Sequence, residues 1–121
     1  MKKLFVLLIS VVLLSSCNKY SEKVTGTYTG LMIINDSISS INNNIIISEI
    51  SNKRIYIAGD FFNIDELEIE KQRYFGSVTY FHNGDSHVNL DLEIGETATG
   101  LYLSLVYYDT LNNQYVFSGE N

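Results

Sequence analysis

The sequence predicts an all-β domain, an antiparallel meander of about eight strands that forms a small barrel. After Val24, short apolar segments alternate with turns rich in Gly, Asn, Asp and Ser, and no long stretch has a helical period. The chain contains no proline, nine tyrosines and six phenylalanines, and such large side chains can fill a small β core. Short connections join antiparallel neighbours, which suits an up-and-down barrel or a two-sheet sandwich.

The predicted strands follow one another with turn residues between them. Residues 35–44 are rich in asparagine and serine and are predicted to form a loop. The chain therefore reads as one β domain over residues 24–121. Its expected strands cover residues 26–34, 45–50, 54–58, 64–70, 74–81, 86–94, 101–108 and 114–118.

Residues 64–70 leave two interpretations open. The apolar spacing from Ile64 fits one turn of a helix, whereas Glu68 and Glu70 flank Ile69 in strict alternation. Alternation with a period of two is the pattern of a half-buried strand, so a strand is favoured.

The best-defined predicted hairpin surrounds Asn83-Gly84, because this dipeptide is the strongest short signal for a two-residue turn. Such a turn would place Phe81 opposite Ser86 and would turn one face of the hairpin toward the barrel interior. That inner wall would mix large and small side chains, which can leave room for a small apolar ligand. The candidate ligand-binding residues on it are Phe75, Ser77, Thr79, Phe81, Leu90 and Leu92.

The first residues are typical of a secretory signal peptide. Lys2 and Lys3 give a basic start, residues 4–14 form an apolar run with one serine, and two further serines precede Cys17. The apolar run is too short for a mature helix that spans a bilayer, which needs about 20 residues.

The segment Leu14-Ser15-Ser16-Cys17 resembles a bacterial lipobox. The resemblance implies that the Cys17 thiol carries a diacylglycerol, that cleavage occurs before it, and that the new amine receives a further acyl chain such as palmitate. An ordinary secretory signal or an uncleaved signal anchor is the alternative, but Cys17 is the only cysteine and so has no disulfide partner in the chain. The expected division is a signal peptide over 1–16, a lipidated cysteine and tether over 17–23, and a barrel over 24–121.

Charge narrows the possible partners. Cleavage would remove two lysines and leave six basic residues against 14 acidic ones, a net charge of about −8. An acidic body is repelled by phosphate backbones, so nucleic acid is not an expected partner. The membrane contact is therefore expected to come from the lipid on Cys17.

Two short segments carry a resemblance to a fold family. Residues 24–30, with Gly26, Tyr28 and Gly30, look like the opening of the calycin-like β-barrel lipoproteins of bacteria, and they echo the Gly-x-Trp of lipocalins with tyrosine in place of tryptophan. Residues 115–119 are similar to the last strand of that family. The resemblance implies a small lipocalin-like barrel more than a function.

No catalytic pattern stands out, and the sequence predicts neither an enzyme nor a cofactor. There is no Gly-x-Ser-x-Gly elbow and no phosphate-binding glycine loop. His82, Asp85 and His87 would share one face of the predicted hairpin, but zinc requires four ligands and no third histidine exists, so no metal site is predicted. Acidic residues that alternate along strands are interpreted as a solvated face.

Two functions remain in play for a lipoprotein of the bacterial cell envelope. One is the binding of a small apolar ligand inside the barrel. The other is a structural or protein-interaction module with a filled barrel, whose contacts with another envelope protein would include Tyr80, Tyr102 and Tyr108. Asn18 is not the aspartate that favours retention in the inner membrane, so the outer membrane is the favoured location.

Overall fold

The computed structural model describes residues 20–74, 76–82 and 89–121, with the backbone alone described for Tyr74. A short helix, α1, precedes nine antiparallel strands. The elements are α1 (Tyr20–Val24), β1 (Gly26–Ile34), β2 (Ser37–Ser51), β3 (Arg54–Gly59), β4 (Asn63–Glu68), β5 (Glu70–Tyr74), β6 (Ser77–His82), β7 (Leu90–Glu96), β8 (Leu101–Tyr108) and β9 (Gln114–Glu120). No helix within these ranges has the length and hydropathy needed to cross a membrane.

The strands form one nine-stranded sheet in the order β4-β3-β2-β1-β9-β8-β7-β6-β5. The first and last strands pair, with Met32 opposite Phe117, so the meander is folded back on itself. The two edges are β4 and β5, which are consecutive in the chain and separated by Ile69 alone. The sheet is thus a nearly closed barrel, and the prediction of an all-β antiparallel meander is confirmed.

The place where the two edge strands meet is the seam of the sheet. There the chain passes from β4 into β5 through a bend at Ile69. The amide of Ile69 donates to the Lys53 carbonyl at 2.8 Å, and the side chain of Ile69 is fully buried. The Nδ1 of His82 lies 2.8 Å from the Glu68 carbonyl across the seam. Strand, and not helix, is therefore the state of residues 64–68 and 70, and the bend adds a ninth strand to the eight expected.

The predicted loop over residues 35–44 is wrong, because β2 begins at Ser37 and continues for 15 residues. The turn consists of Asn35 and Asp36 alone, both with positive φ, as a two-residue hairpin turn of type I′ requires. Asparagine and aspartate tolerate that conformation better than most residues. The polar run after the turn becomes a strand because β1 supplies its hydrogen-bonding partner.

The barrel interior is filled by alternate side chains from both halves of the sheet. Tyr28 and Phe117 are the largest side chains in it that are fully buried. The Tyr28 hydroxyl donates to the Val24 carbonyl at 2.7 Å, which ties β1 to the end of α1. The other buried apolar residues of this core include Met32, Ile45, Ile47, Ile55, Ile57, Ile64, Leu67, Leu92, Ile94, Leu103 and Leu105.

The predicted register of the central hairpin is wrong. Phe81 lies opposite Glu93, seven residues beyond the expected Ser86, and His82 pairs with Leu92. The connection is therefore longer than two residues, and residues 83–88 of it lie outside the described ranges. Because the shift is odd, it exchanges the two faces of β6 relative to β7.

The structure also changes the expected start of the folded part. Residues 20–23 of the expected polar tether belong to α1, in which Ser21 and Val24 are fully buried. The amides of Tyr20 and Ser21 both donate to the Asn52 carbonyl, at 2.8 and 3.1 Å. Because α1 is docked on the turn between β2 and β3, the helix belongs to the folded domain.

Candidate functional site

The turns divide the barrel into two ends with different chemistry. The helix end comprises α1, the turn at residues 52–53, Gly76 and the turn at residues 97–100. The distal end comprises the turns at residues 35–36, 60–62 and 109–113. Because the strands run antiparallel, successive turns alternate between these ends.

The structure separates the predicted ligand wall into two faces. Leu90 and Leu92 are buried in the interior, as expected. Thr79 and Phe81 lie on the outer face instead, because their neighbours Val78 and Tyr80 pack against the core. Ser77 is exposed, and Phe75 lies outside the described residues. One continuous inner wall is therefore not formed, while the ligand-binding role of these residues stays a prediction.

The described interior offers side chains where a ligand would sit. Tyr28, with no exposed surface, lies near the start of β1, and burial raises the pKa of its hydroxyl to about 12. Phe117 and Met32 face each other across the β1–β9 pair and are both fully buried. A small barrel can be filled by side chains or can hold one ligand, and these three side chains occupy part of the interior.

An open depression of about 660 Å³ lies on the outer wall over β5 to β8. Phe81 and Val106 give it apolar surface, while Glu93 accepts a hydrogen bond from the Tyr102 hydroxyl at 2.8 Å. That hydrogen bond, more than the partial burial, raises the pKa of Tyr102. Thr79, Phe81 and Leu92 of the predicted wall are among the residues that line it, although the Leu92 side chain is buried in the interior. Its lining consists of Gln72, Thr79, Phe81, Asp91, Leu92, Glu93, Ser104 and Val106.

Aromatic rings gather at the distal end. The centroid of Phe62 lies 4.8 Å from that of Tyr107 and 5.3 Å from that of Tyr115. Such tilted arrangements stabilise aromatic pairs beyond their buried area. The Tyr115 hydroxyl also donates to Asp109 Oδ2 at 3.0 Å, and burial followed by this bond raises the pKa of Tyr115.

Asp109 organises the turn between β8 and β9. Its Oδ1 accepts from the amides of Leu111 and Asn113, both at 2.9 Å, and its Oδ2 accepts from the Asn113 side chain at 3.0 Å. These hydrogen bonds favour the ionised form, and the bond from the Asn113 side chain contributes most to lowering the Asp109 pKa. The turn is therefore pre-ordered and presents its tip to solvent.

Large apolar side chains remain exposed at this distal end. Leu111 is 83 % exposed, Ile41 71 % and Ile38 68 %, and Phe61 is also exposed. The segment of β2 that carries Ile38 and Ile41 has β1 on one side, whereas β3 pairs only with residues from Ile45 onward. An edge without charge or proline is open to pairing with another strand.

The charges of the distal end are acidic. Asp36, Asp60 and Asp109 lie in its three turns, and within the described ranges no lysine or arginine does. Asn43, only 3 % exposed, donates from Nδ2 to Asp60 Oδ2 at 3.2 Å. Its Oδ1 is buried without a hydrogen-bond partner among the described residues.

The helix end, in contrast, carries basic side chains as well as acidic ones. Lys53 and Lys71 place their ammonium groups 5.4 and 5.7 Å from the centre of the Tyr20 ring. Tyr20 in turn packs on Tyr80, with ring centroids 6.2 Å apart. Tyr80 is nearly buried, so its predicted role as an exposed contact residue is wrong, and burial raises its pKa more than the charge of Glu96 does.

The two other tyrosines proposed as contacts lie on the barrel surface. Tyr102 is half-buried and engaged with Glu93. Tyr108 is half-buried and accepts a hydrogen bond from the Gln114 side chain at 2.7 Å. Both hydroxyls are therefore committed within the chain, whereas Leu111 and Ile41 are more accessible.

Of the three residues predicted to share one face, His82, Asp85 and His87, only His82 lies within the described residues. The carbonyl at Glu68 can only accept, so the His82 Nδ1 donates to it, and Nε2 is left buried without a partner in the described part. No group of three His, Cys, Asp or Glu in that part is placed to hold a metal ion.

The sequence analysis did not predict that either end of the barrel forms a functional surface. The signal for the distal end was present, because Ile38 and Ile41 stand in a polar run where an ordinary loop has no need of them. The cations of the helix end are scattered between residues 23 and 73, so only the fold brings them together.

Comparisons with protein-family models, with curated proteins and with solved structures gave no match. The antiparallel barrel is thus defined by its own geometry, which is consistent with a calycin-like barrel at the level of architecture.

Proposed function

We propose that this chain is a lipid-anchored, non-enzymatic interaction module of the bacterial cell envelope, on the outer membrane, with the architecture of a calycin-like barrel lipoprotein. The lipobox-like segment that ends at Cys17 supports the anchor. Lipid on Cys17 holds an acidic domain at a membrane that its net charge would not attract.

The observation that carries the proposal is an apolar distal end on a barrel whose interior holds large buried side chains. Tyr28, Phe117 and Met32 occupy the interior, which favours a surface function over an enclosed ligand. Ile41 and Leu111 expose large apolar side chains at the end opposite α1. Exposed apolar surface with a polar rim is typical of a protein-interaction site.

The partner that this surface suits is an envelope protein that contributes an extended segment. Residues 37–42 of β2 offer an open strand edge, and addition of a strand to such an edge is a recurring mode of recognition. Asp36, Asp60 and Asp109 surround the edge with negative charge. The partner segment is therefore apolar with basic flanks, since basic residues complement that charge.

Site-specific photocrosslinking in the native host tests this surface. A photoreactive residue at Leu111 is expected to give one discrete adduct, and a residue at Ala98 of the helix end is expected to give none. The variant Ile41→Asp should abolish the adduct at Leu111 by placing a charge on the edge. Ile50→Asp is the matched control, because Ile50 is exposed on the same strand but lies next to the turn at residues 52–53 of the helix end.

Two results would contradict the interaction surface. One is an adduct of equal yield at Ala98, and the other is an adduct at Leu111 that persists in Ile41→Asp. The anchor is tested separately by the mass of the mature protein. A mass equal to residues 17–121 without added lipid would refute lipidation of Cys17.

A second candidate is the binding of a small ligand in the outer depression. Thr79, Phe81 and Leu92 line it, and Glu93 gives it an acidic wall. These features suit a ligand with an apolar body and a cationic group, and not the purely apolar ligand expected inside the barrel. Native mass spectrometry of protein purified from its host would reveal a retained molecule, and Phe81→Asp should release it. Spectra that stay empty for the unmodified protein exclude this candidate.

A further inference from the structure

We propose that the helix end is a lipid-facing surface, on which Lys23, Lys53, Lys71 and Arg73 contact the headgroups of anionic lipids and hold the barrel in one orientation. The inference rests on the proposed lipidation of Cys17. It goes beyond the anchor because it states which end of the barrel meets the membrane and which end is presented away from it.

Covalent connectivity keeps this end close to the bilayer. Only two residues separate Cys17 from Tyr20, the first residue of α1. Three steps along an extended chain reach about 10 Å at most. The amides of Tyr20 and Ser21 are bound to the Asn52 carbonyl, so the helix cannot act as a further spacer while it is docked. A lipid on Cys17 therefore holds the helix end within roughly one Debye length of the headgroups.

The positive charges of the described residues all lie at or next to this end. Lys23 is on α1, Lys53 is in the turn that α1 docks on, and Arg54 follows it. Lys71 and Arg73 lie on β5, which leads into the turn at Gly76. Arg54 forms an ion pair with Glu66, while the other four cations are exposed at the surface. They are the groups available to anionic headgroups.

The orientation follows from the contrast between the two ends. Acidic residues also lie at or next to the helix end, so its surface is of mixed charge. They are Glu22, Glu68, Glu96 and Glu120. The distal end has Asp36, Asp60 and Asp109 and no basic residue in its described turns. An anionic membrane therefore repels the distal end and attracts the cations of the helix end, and both effects favour the same orientation.

Tyr20 adds a chemical reason for a lipid contact. Its ring is half-buried, and the ammonium groups of Lys53 and Lys71 lie 5.4 and 5.7 Å from the ring centre. Tyrosine is enriched at the level of lipid headgroups, where its apolar ring and its hydroxyl both find suitable surroundings. Lysine side chains can lie along apolar surface and extend their charge to the phosphates. The three residues thus form a compact patch suited to the interface.

Energy transfer from the lipidated full-length protein in vesicles tests the orientation. Cys17 is blocked as a thioether, so a cysteine introduced at Ala98 or at Thr110 is the single site for a donor dye. The acceptor is a headgroup-labelled lipid, in vesicles of phosphatidylcholine alone or mixed with phosphatidylglycerol. We expect stronger transfer from Ala98 than from Thr110, a larger difference with the anionic lipid, and a smaller one at high salt.

Charge variants separate this surface from a general effect of net charge. Lys53→Gln with Lys71→Gln should lower the oriented population by roughly fivefold for each lysine removed. Ser39→Glu with Asn42→Glu changes the net charge equally at the distal end and should leave the orientation intact. Because Lys53 and Lys71 also contact Tyr20, Lys23→Gln with Arg73→Gln gives the same test without altering that ring.

Each outcome decides the inference. Equal transfer from Ala98 and Thr110 with anionic vesicles, or a difference insensitive to salt and to the lysine variants, overturns it while the anchor stands. Protein that fails to sediment with vesicles and has no lipid mass overturns the anchor and the inference together. Loss of the difference in both charge variants alike would show an effect of net charge and would also overturn it.

Discussion

Replacement of Tyr28 by phenylalanine tests how α1 is held on the barrel. The Tyr28 hydroxyl donates to the Val24 carbonyl at 2.7 Å, and both side chains are fully buried. Removal of the hydroxyl leaves that carbonyl without this partner, which costs about 1–2 kcal/mol of the free energy of unfolding at neutral pH. Tyr56→Phe is the control. Tyr56 is half-buried, so removal of its hydroxyl should change the free energy of unfolding by less than about 0.5 kcal/mol.

The same substitution has the opposite effect in alkali. Burial raises the pKa of Tyr28 from 10.0 to about 12 in the folded protein. Between these values the unfolded chain releases the phenolic proton while the folded protein keeps it, so the native protein loses stability as the pH rises. Two pKa units correspond to about 2.7 kcal/mol. The Phe variant avoids this loss, so its initial disadvantage should disappear by about pH 12.

Chemical denaturation followed by far-ultraviolet circular dichroism measures both effects. The free energies of unfolding of the two proteins are compared at neutral pH and at several values between pH 10 and 12. Other tyrosines titrate in both proteins, so their contribution cancels in the difference. A difference that stays constant across this range would refute the assignment of the alkaline loss to Tyr28.

Three further substitutions probe closure, packing and the distal turn. Gly30→Ala would place a Cβ against the Ser118 carbonyl oxygen, so thermal unfolding should show that the free energy of unfolding falls by more than about 4 kcal/mol. Gly59→Ala is the control and should cost less, because its Cβ would lie 3.3 Å from the Phe62 carbonyl oxygen, its nearest neighbour. Phe117→Ala removes a fully buried ring, so denaturant titration should show a free energy of unfolding lower by about 3–5 kcal/mol. An unchanged midpoint would contradict the packing of Phe117 in the core. Asp109→Ala should flatten the acid dependence of stability measured by denaturation. The lowered pKa of Asp109 contributes stability that is present above its ordinary value of 3.8 and is lost as the pH falls through the folded value, so an unchanged acid profile would contradict this role.

The alternation of apolar and polar residues within short segments was enough to predict the fold class from the sequence. Glu68 and Glu70 flank Ile69, and in the structure Ile69 is buried while both acids are exposed. The strands from Leu101 and from Gln114 likewise lie where the pattern predicted them. Side chains alternate between the two faces of a strand by backbone geometry, so this information is present in each segment without reference to its neighbours.

The candidate site was less predictable because the direction of each face depends on register. The Asn83-Gly84 signal pointed to a two-residue turn, but β6 pairs so that Tyr80 lies opposite Ile94. That register buries both residues in a core that also includes Leu103, which lies opposite Ile94 on the next strand. Burial summed over neighbouring strands thus outweighs one local turn preference, and an odd shift moves Phe81 from the interior to the outer wall.

The sequence by itself determined that the chain forms antiparallel strands and predicted lipid on Cys17. The tertiary structure alone decided what lies at each end of the barrel. It docks α1 on the Asn52 carbonyl and brings Lys53 and Lys71 to one tyrosine, although 17 residues of chain separate the two lysines. Strand alternation arises within a few residues, whereas the meeting of distant turns requires the closed sheet, and no local pattern contains that information.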